Sequence, residues 1–221
     1  MPSLKTSLQH LIRRVPLLRP ILERRQRAAM TRWEKAGRPV PPPGLHKQQV
    51  IRTYGRNTGI RVLVETGTYF GDTLYALRND FDRLISIELD LELYKAALTR
   101  FRPFKNIENL HGDSGERIHE VVAGLKERAI FWLDGHFSGG ITATAEEETP
   151  ISNELDAILR HPIRDHIVLI DDARCFGTDP NYPTIEQLRE FLQRKSPRSQ
   201  ITIENDIIRI LPQSAVKTAT H

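Results

Sequence analysis

Acidic residues recur in this chain at the ends of short apolar runs. Glu65 follows Val62, Leu63 and Val64, and a second apolar run closes on Glu88. Asp113 and Ser114 come directly after His111 and Gly112; Asp134, Gly135 and His136 follow a run that begins at Ala129; Asp171 and Asp172 close another that begins at His166. Carboxylates can accept two hydroxyl groups at once, hold a hard cation or take part in proton transfer. Short apolar runs bounded by turn signals read as buried strands. The acids therefore fall at the carboxyl ends of strands, the edge of an open α/β sheet where ligands bind. A single acid there reads as a helix cap. Five consecutive strands ending in polar groups point to a ligand site.

The turn after the first run reads Glu65-Thr66-Gly67-Thr68-Tyr69-Phe70-Gly71. Its glycines let backbone N–H groups approach a ligand, and an acid about twenty residues further on, Glu88, is spaced to accept both hydroxyls of a ribose. The turn lacks the G-x-G-x-x-G pattern that admits a dinucleotide pyrophosphate, so a nucleoside ligand without phosphates is favoured.

To bring these acids to one edge the chain must alternate strands and helices. Residues 62–64 and the run closing on Glu88 are the first two strands. Helix 91–101, strand 107–111, helix 116–125, strand 129–134, helix 150–159, strand 166–171 and a helix near 184–193 then follow from the periodicity. Residues 201–204 and 207–211, around Asn205-Asp206, read as a closing hairpin that makes the last strand antiparallel. The expected fold is α/β: a Rossmann-like, doubly wound, mostly parallel seven-stranded sheet with a C-terminal antiparallel hairpin. Ahead of it lie a basic helical arm, with helices over 3–14 and 17–35 interrupted at Pro16 and Pro20, and the proline-rich connector 38–44. A helix over 46–54 precedes the first strand. The division is thus an arm and connector over 1–44, a catalytic domain over 45–211 and a loose tail over 212–221.

The 221 residues, 39% hydrophobic and 27% charged, suit a soluble globular protein. The lone Cys175 excludes an internal disulfide framework and a multi-cysteine zinc site. No run approaches the roughly 18 apolar residues of a spanning helix, and a cytoplasmic location is expected. Residues 1–50 hold 11 Lys+Arg against two acids and the remainder 21 against 26, so a basic arm precedes a mildly acidic body. Such an arm suits contact with an anionic membrane surface, placing the protein in the cytoplasm or peripherally on a membrane. A solvated helical face is the plainer alternative. Its arginine-rich composition also suits an organellar transit peptide, which should end in a cleavage context before the fold begins. Without an aromatic platform or a nucleic-acid motif, nucleic acid is not an expected partner. Nothing in the pattern decides between a monomer and a homo-oligomer.

From Val62 to Leu211 the pattern resembles the class I S-adenosylmethionine-dependent methyltransferases. The resemblance implies that the turn carrying Glu65, Gly67, Thr68, Tyr69 and Gly71 embraces the methionine end of the cofactor, that Glu88 holds the ribose, and that Asp113 and Ser114 lie where adenine is held. Phe131-Trp132-Leu133-Asp134-Gly135-His136 and Leu169-Ile170-Asp171-Asp172-Ala173-Arg174 further resemble the macrocin-type sugar O-methyltransferases. That resemblance implies a magnesium ion, or another divalent cation, on Asp134, Asp171 and Asp172. It also implies a hydroxyl of a sugar, glycan or glycosylated small molecule as acceptor. In a metal-free alternative Asp171-Asp172 caps the following segment and Asp134 touches cofactor or substrate.

His136 stands where many members of that family carry an acid. With an ordinary pKa of about 6.5 it can take a hydroxyl proton, and it shares the catalytic role with Asp134, although a supporting or substrate-contact role is also open. The loop behind it, with Gly139 and Gly140, reads as a mobile lid, Thr149 as a helix cap and the acids 146–148 as a solvated face. Cys175 reads as a semi-buried structural thiol; Arg174 could pair with the acids or reach an anionic substrate. His111 ends a strand beside the adenine site that the resemblance implies, and His161 and His166, which flank a turn, read as solvated polar residues. A metal-dependent hydrolase on the same frame and a non-enzymatic module that binds nucleic acid or membrane through the arm are the competing functions.

Overall fold

The computed structural model describes residues 19–134 and 150–216 of the chain. Its seven-stranded sheet has the order β3-β2-β1-β4-β5-β7-β6, with β1 Val62–Thr66, β2 Arg83–Glu88, β3 Ile107–His111, β4 Ala129–Leu133, β5 Ile167–Ile170, β6 Gln200–Glu204 and β7 Ile207–Leu211. The strands from β3 to β5 are parallel; β7 runs antiparallel to both β5 and β6. β1, β4 and β5 are buried at every position, as expected of central strands covered on both faces, whereas β3 and β6 at the edges are largely half-buried or exposed.

Alternation along the strands divides the core. Val62, Val64, Ile85, Ile87, Phe131 and Val168 face one way, against α5 (Ser114–Ala123), α6 (Pro150–Arg160) and α7 (Ile185–Lys195). Leu63, Leu84, Ile130, Trp132 and Leu169 face the other, against α2 (Gly44–Thr58), α3 (Asp72–Leu77) and α4 (Leu91–Phe101). Helices on both faces complete the doubly wound architecture.

Three local features differ from the sequence expectation. The helix before β1 runs over Gly44–Thr58 rather than 46–54 and stops where Gly59 takes the left-handed conformation, φ 69°. Within the stretch expected as a loose tail, α8 (Gln213–Val216) forms and buries Ala215 to 8% exposure. His161 and His166, expected to be solvated, are buried and bonded to each other, Nδ1 to Nε2 at 2.9 Å. His166 Nδ1 also accepts the Ala129 N–H at 3.0 Å, so the pair ties the chain entering β5 to the start of β4. An isolated turn histidine carries no sequence sign of such a cross-strand partner.

The arm helix α1 (Arg19–Lys35) lies on α2 through a stripe formed by Leu22, Gln26, Ala29, Met30 and Trp33. Trp33 is buried, packs against His46 with ring centroids 4.7 Å apart, and donates its indole N–H to the Pro39 carbonyl at 2.6 Å. Ile21 lies off this stripe and is 52% exposed. The expected helix over 3–14 lies outside the described residues. Among the described residues no helix is long and apolar enough to cross a membrane.

Candidate active site

Parallel pairing carries the strand-end acids to one edge. β1 lies between β2 and β4, and β4 beside β5, so their carboxyl ends stand next to one another. The ladders continue past the strands: Asp134 N–H donates to the Thr66 carbonyl (3.1 Å), Asp171 N–H to that of Leu133 (3.0 Å) and Gly112 N–H to that of Glu88 (3.0 Å).

The β1–α3 turn is held against β2. Gly67 and Gly71 take φ values of 85° and 70°, and Tyr69 a left-handed φ of 48°. Gly67 N–H donates to the Ile87 carbonyl (2.9 Å), while Tyr69 N–H donates to Glu88 Oε2 (2.7 Å) and Asp90 N–H to Glu88 Oε1 (2.9 Å). A Cβ at Gly71 would lie 2.6 Å from the Phe101 ring, so the backbone passes closer to α4 than any side chain permits. Burial pushes the Glu88 carboxyl up, against the opposing pull of the Asp90 and Tyr69 N–H groups.

Glu65 lies beneath this turn, 2% exposed. Ser86 donates to its Oε2 at 2.9 Å, and the Thr68 and Ser86 hydroxyls are 2.6 Å apart. Burial pushes Glu65 up to about 8 despite the Ser86 bond, and Asp134 and Glu88 add to the shift. Asp113, exposed, caps α5 by accepting the Glu116 N–H at 3.3 Å. Ser114 opens that helix and faces Glu154 of α6, which also faces Thr66 and is pushed up to about 7 by burial.

Asp134, Asp171 and Asp172 form a second group, each offering an oxygen within 4.8 Å of the others. Asp172 takes the left-handed conformation at φ 55°, and its N–H donates to Asp171 Oδ1 at 2.9 Å. Arg174 Nη1 bonds Asp172 Oδ1 at 2.7 Å and also Asp206. Asp206 belongs to the β6–β7 turn, where Asn205 and Asp206 have φ values of 49° and 65°, as a two-residue hairpin requires. Its Oδ1 accepts the Arg174 N–H at 2.8 Å, so the hairpin turn braces the segment that carries Asp172. Lys47 enters from α2, with its ammonium on Asp171 Oδ2 and 3.8 Å from Asp172 Oδ1. Burial and the neighbouring Asp134 push Asp171 up while Lys47 pulls it down. On Lys47 itself burial opposes the charge, but Asp171, Asp134 and Asp172 outweigh it and raise its pKa.

Three buried or half-buried carboxylates suit a hard divalent cation, which takes oxygen ligands. The expected groups thus fall into a turn with Glu65 and Glu88, a helix start with Asp113 and Ser114, and the aspartate cluster. Of the two expected catalytic residues, Asp134 is in that cluster. His136 lies outside the described residues, as do Gly139, Gly140, the acids 146–148 and Thr149. Arg174 pairs with acids of the site, and Cys175 is half-buried. Lys47 and Glu154 are absent from the sequence reading. Nothing local distinguishes Lys47 from other helix-surface lysines. Glu154 had a sign, since residues 151, 154 and 158 share a helical face whose other two members are apolar.

No family model and no curated protein sequence matches the chain. Solved structures share its fold. An O-methyltransferase from Bacillus cereus in complex with SAH superposes with a TM-score of 0.55 at 13% identity, covering 84% of this chain and 90% of that one. TomG of Streptomyces achromogenes, an O-methyltransferase involved in tomaymycin synthesis solved with SAM, gives 0.54 at 16% identity, covering 85% and 89%. The SAH-bound methyltransferase PaMTH1 of Podospora anserina gives 0.55 at 13% identity over 96% and 97% of the two chains. At these identities the likeness is one of fold, a Rossmann-like α/β architecture.

Proposed function

We propose that this protein is an S-adenosylmethionine-dependent O-methyltransferase, assisted by a divalent cation such as magnesium, that acts on a hydroxyl of a sugar or glycosylated metabolite. The observation that carries the proposal is the arrangement of one sheet edge. A glycine-containing turn bonded to the buried Glu88 stands there beside three carboxylates within 4.8 Å of one another. SAH and SAM in structures of the same fold favour the cofactor.

Glu88 would accept the ribose hydroxyls, its orientation already set by the Tyr69 and Asp90 N–H groups. Leu89, 51% exposed beside it, offers an apolar surface to the adenine, with Asp113 and Ser114 at its polar rim. Glu65, neutral when the site is empty, can ionise as a cationic methionine end arrives, matching charge to charge in a buried place. When bound, the sulfonium supplies a methyl group already activated for displacement, so the protein's task is alignment and proton removal. Asp134, Asp171 and Asp172 would hold the cation, which lowers the pKa of a hydroxyl bound to it. Two adjacent hydroxyls, as in a sugar, suit an edge with several carboxylates. His136 would take the proton, with Asp134 orienting the acceptor.

Calorimetry with SAH tests the cofactor: a near one-to-one complex is expected, and no binding at millimolar ligand overturns the reading. Asp171→Asn is expected to abolish divalent-ion dependence and activity while SAH affinity changes less than about threefold. Full methyl transfer by the unaltered protein in excess chelator overturns the metal part alone.

A further inference from the structure

Among the described residues Lys47, like Arg174, is a charged group of the acidic edge to which the reaction assigns no task, and it is the one bonded to Asp171. It stands on α2, which is fixed by the buried Ile51 and by Gln48, whose side-chain amide donates to the Asp72 carbonyl at 3.4 Å. Its side chain is only 19% exposed. The ammonium bonds Asp171 Oδ2 and lies 3.8 Å from Asp172 Oδ1, inside the group formed with Asp134. Asp171 Oδ1 already accepts the Asp172 N–H at 2.9 Å, so Oδ2 carries more of this carboxylate's remaining capacity to hold a cation. That is the atom held by the ammonium. Arg174 does not compete for it, being bonded to Asp172 Oδ1 and Asp206 on the hairpin side.

A divalent cation shared by the three aspartates would claim the same oxygen. Two positive charges on one carboxylate oxygen stand a few ångströms apart in a place shielded from water, where their repulsion is weakly screened. Both cannot be held at full strength. The lysine can leave without unfolding anything, because a four-carbon stem with rotatable bonds lets a compact ammonium swing away, which a guanidinium fork would do less readily.

We propose that Lys47 is the resident cation of the Asp134–Asp171–Asp172 cluster and competes with a divalent metal for Asp171 Oδ2, so that metal binds only as the ammonium withdraws. The proposal rests on the metal-assisted reading above. The lysine is a countercharge on the Asp171 side of the cluster, as Arg174 is on the Asp172 side. It also sets the metal affinity of the free protein below what the same three aspartates would give alone.

The experiment titrates Mn2+ into the full chain and into Lys47→Gln, Lys47→Met and Lys47→Arg by calorimetry, with thermal unfolding with and without the ion and an SAH titration of each protein. Both neutral variants should bind Mn2+ at least about tenfold more tightly than the unaltered protein and gain more thermal stability from it, and Lys47→Arg should bind no more tightly. If removing the charge prevents folding in the absence of ions, millimolar Mn2+ should restore a cooperative transition; failure to do so overturns the proposal. Equal Mn2+ affinity in the lysine and neutral proteins overturns the role of Lys47 and leaves the metal reading standing. Absence of Mn2+ binding in every protein that still binds SAH overturns both, and leaves the cofactor reading intact.

Discussion

Glu65 shows how burial of one carboxyl ties stability to pH. It is held at about 8 by burial, against an ordinary value near 4.5. A carboxyl whose folded pKa is raised stabilises the fold fully below its unfolded value, and that contribution is lost as pH rises through the folded one. The window here runs from about 4.5 to about 8. Glu65→Gln keeps an acceptor for the Ser86 hydroxyl and cannot ionise. Its stability relative to the unaltered protein is therefore expected to rise by about 3 kcal/mol between pH 5 and 8. Denaturant unfolding across that range checks it, and parallel stability curves would refute the assignment. The variant should bind the cofactor more weakly, since it cannot supply a counter-charge. Glu65 was legible as an acid at the end of an apolar strand, just before a glycine turn. Its neutrality was not, because that depends on burial by the assembled fold, to which Asp134 and Glu88 from the ends of other strands add. Lys47 was hidden for the same reason: its partner Asp171 is 124 residues away.

Among the elements, strands were read more closely than helix ends or turns. Continuous apolar runs mark β1, β4 and β5 because both faces of a central parallel strand are buried, whereas helix starts depend on single caps. Helix α5 begins at Ser114 rather than 116 because Asp113 accepts an N–H from its first turn. The hairpin turn at Asn205-Asp206 was legible from its residues; its use as a brace for Arg174 was not. The His161–His166 pair was misread as solvated because its partner Ala129 starts a strand far away in sequence. Burial and the neighbouring His161 lower His166 to about 4 from 6.5. A base with a depressed folded pKa stabilises the fold above its unfolded value and loses that contribution as pH falls through the folded one. His166→Gln can still accept the Ala129 N–H but does not titrate. The unaltered protein should thus lose about 2–3 kcal/mol relative to this variant as pH falls from 7 to 4. Urea unfolding at both pH values measures it; equal losses would show that the pair does not titrate with unfolding.

At the scale of the molecule, charge is segregated: 11 basic residues against two acids up to residue 50, and 21 against 26 beyond it. The structure gives the described part of this arm two faces. Trp33 and its stripe are committed to α2, so that face is not available to another surface. Off that stripe Ile21 is 52% exposed, and Arg24, Arg25 and Arg32 are exposed as well. Exposed arginines of this kind can be drawn to an anionic surface by charge. We propose that use for the arm. Each basic residue near such a surface contributes on the order of 1 kcal/mol at low salt. Arg24→Glu with Arg25→Glu reverses two charges, so binding to vesicles rich in phosphatidylserine should fall by at least about tenfold. Vesicle co-sedimentation in low salt reads this, with neutral phosphatidylcholine vesicles as the control. Because both arginines are exposed, SAH affinity and the thermal midpoint should stay unchanged. Equal sedimentation of the two proteins would assign the arginines to solvation alone, and a lowered midpoint would mean that the outer face also supports the fold.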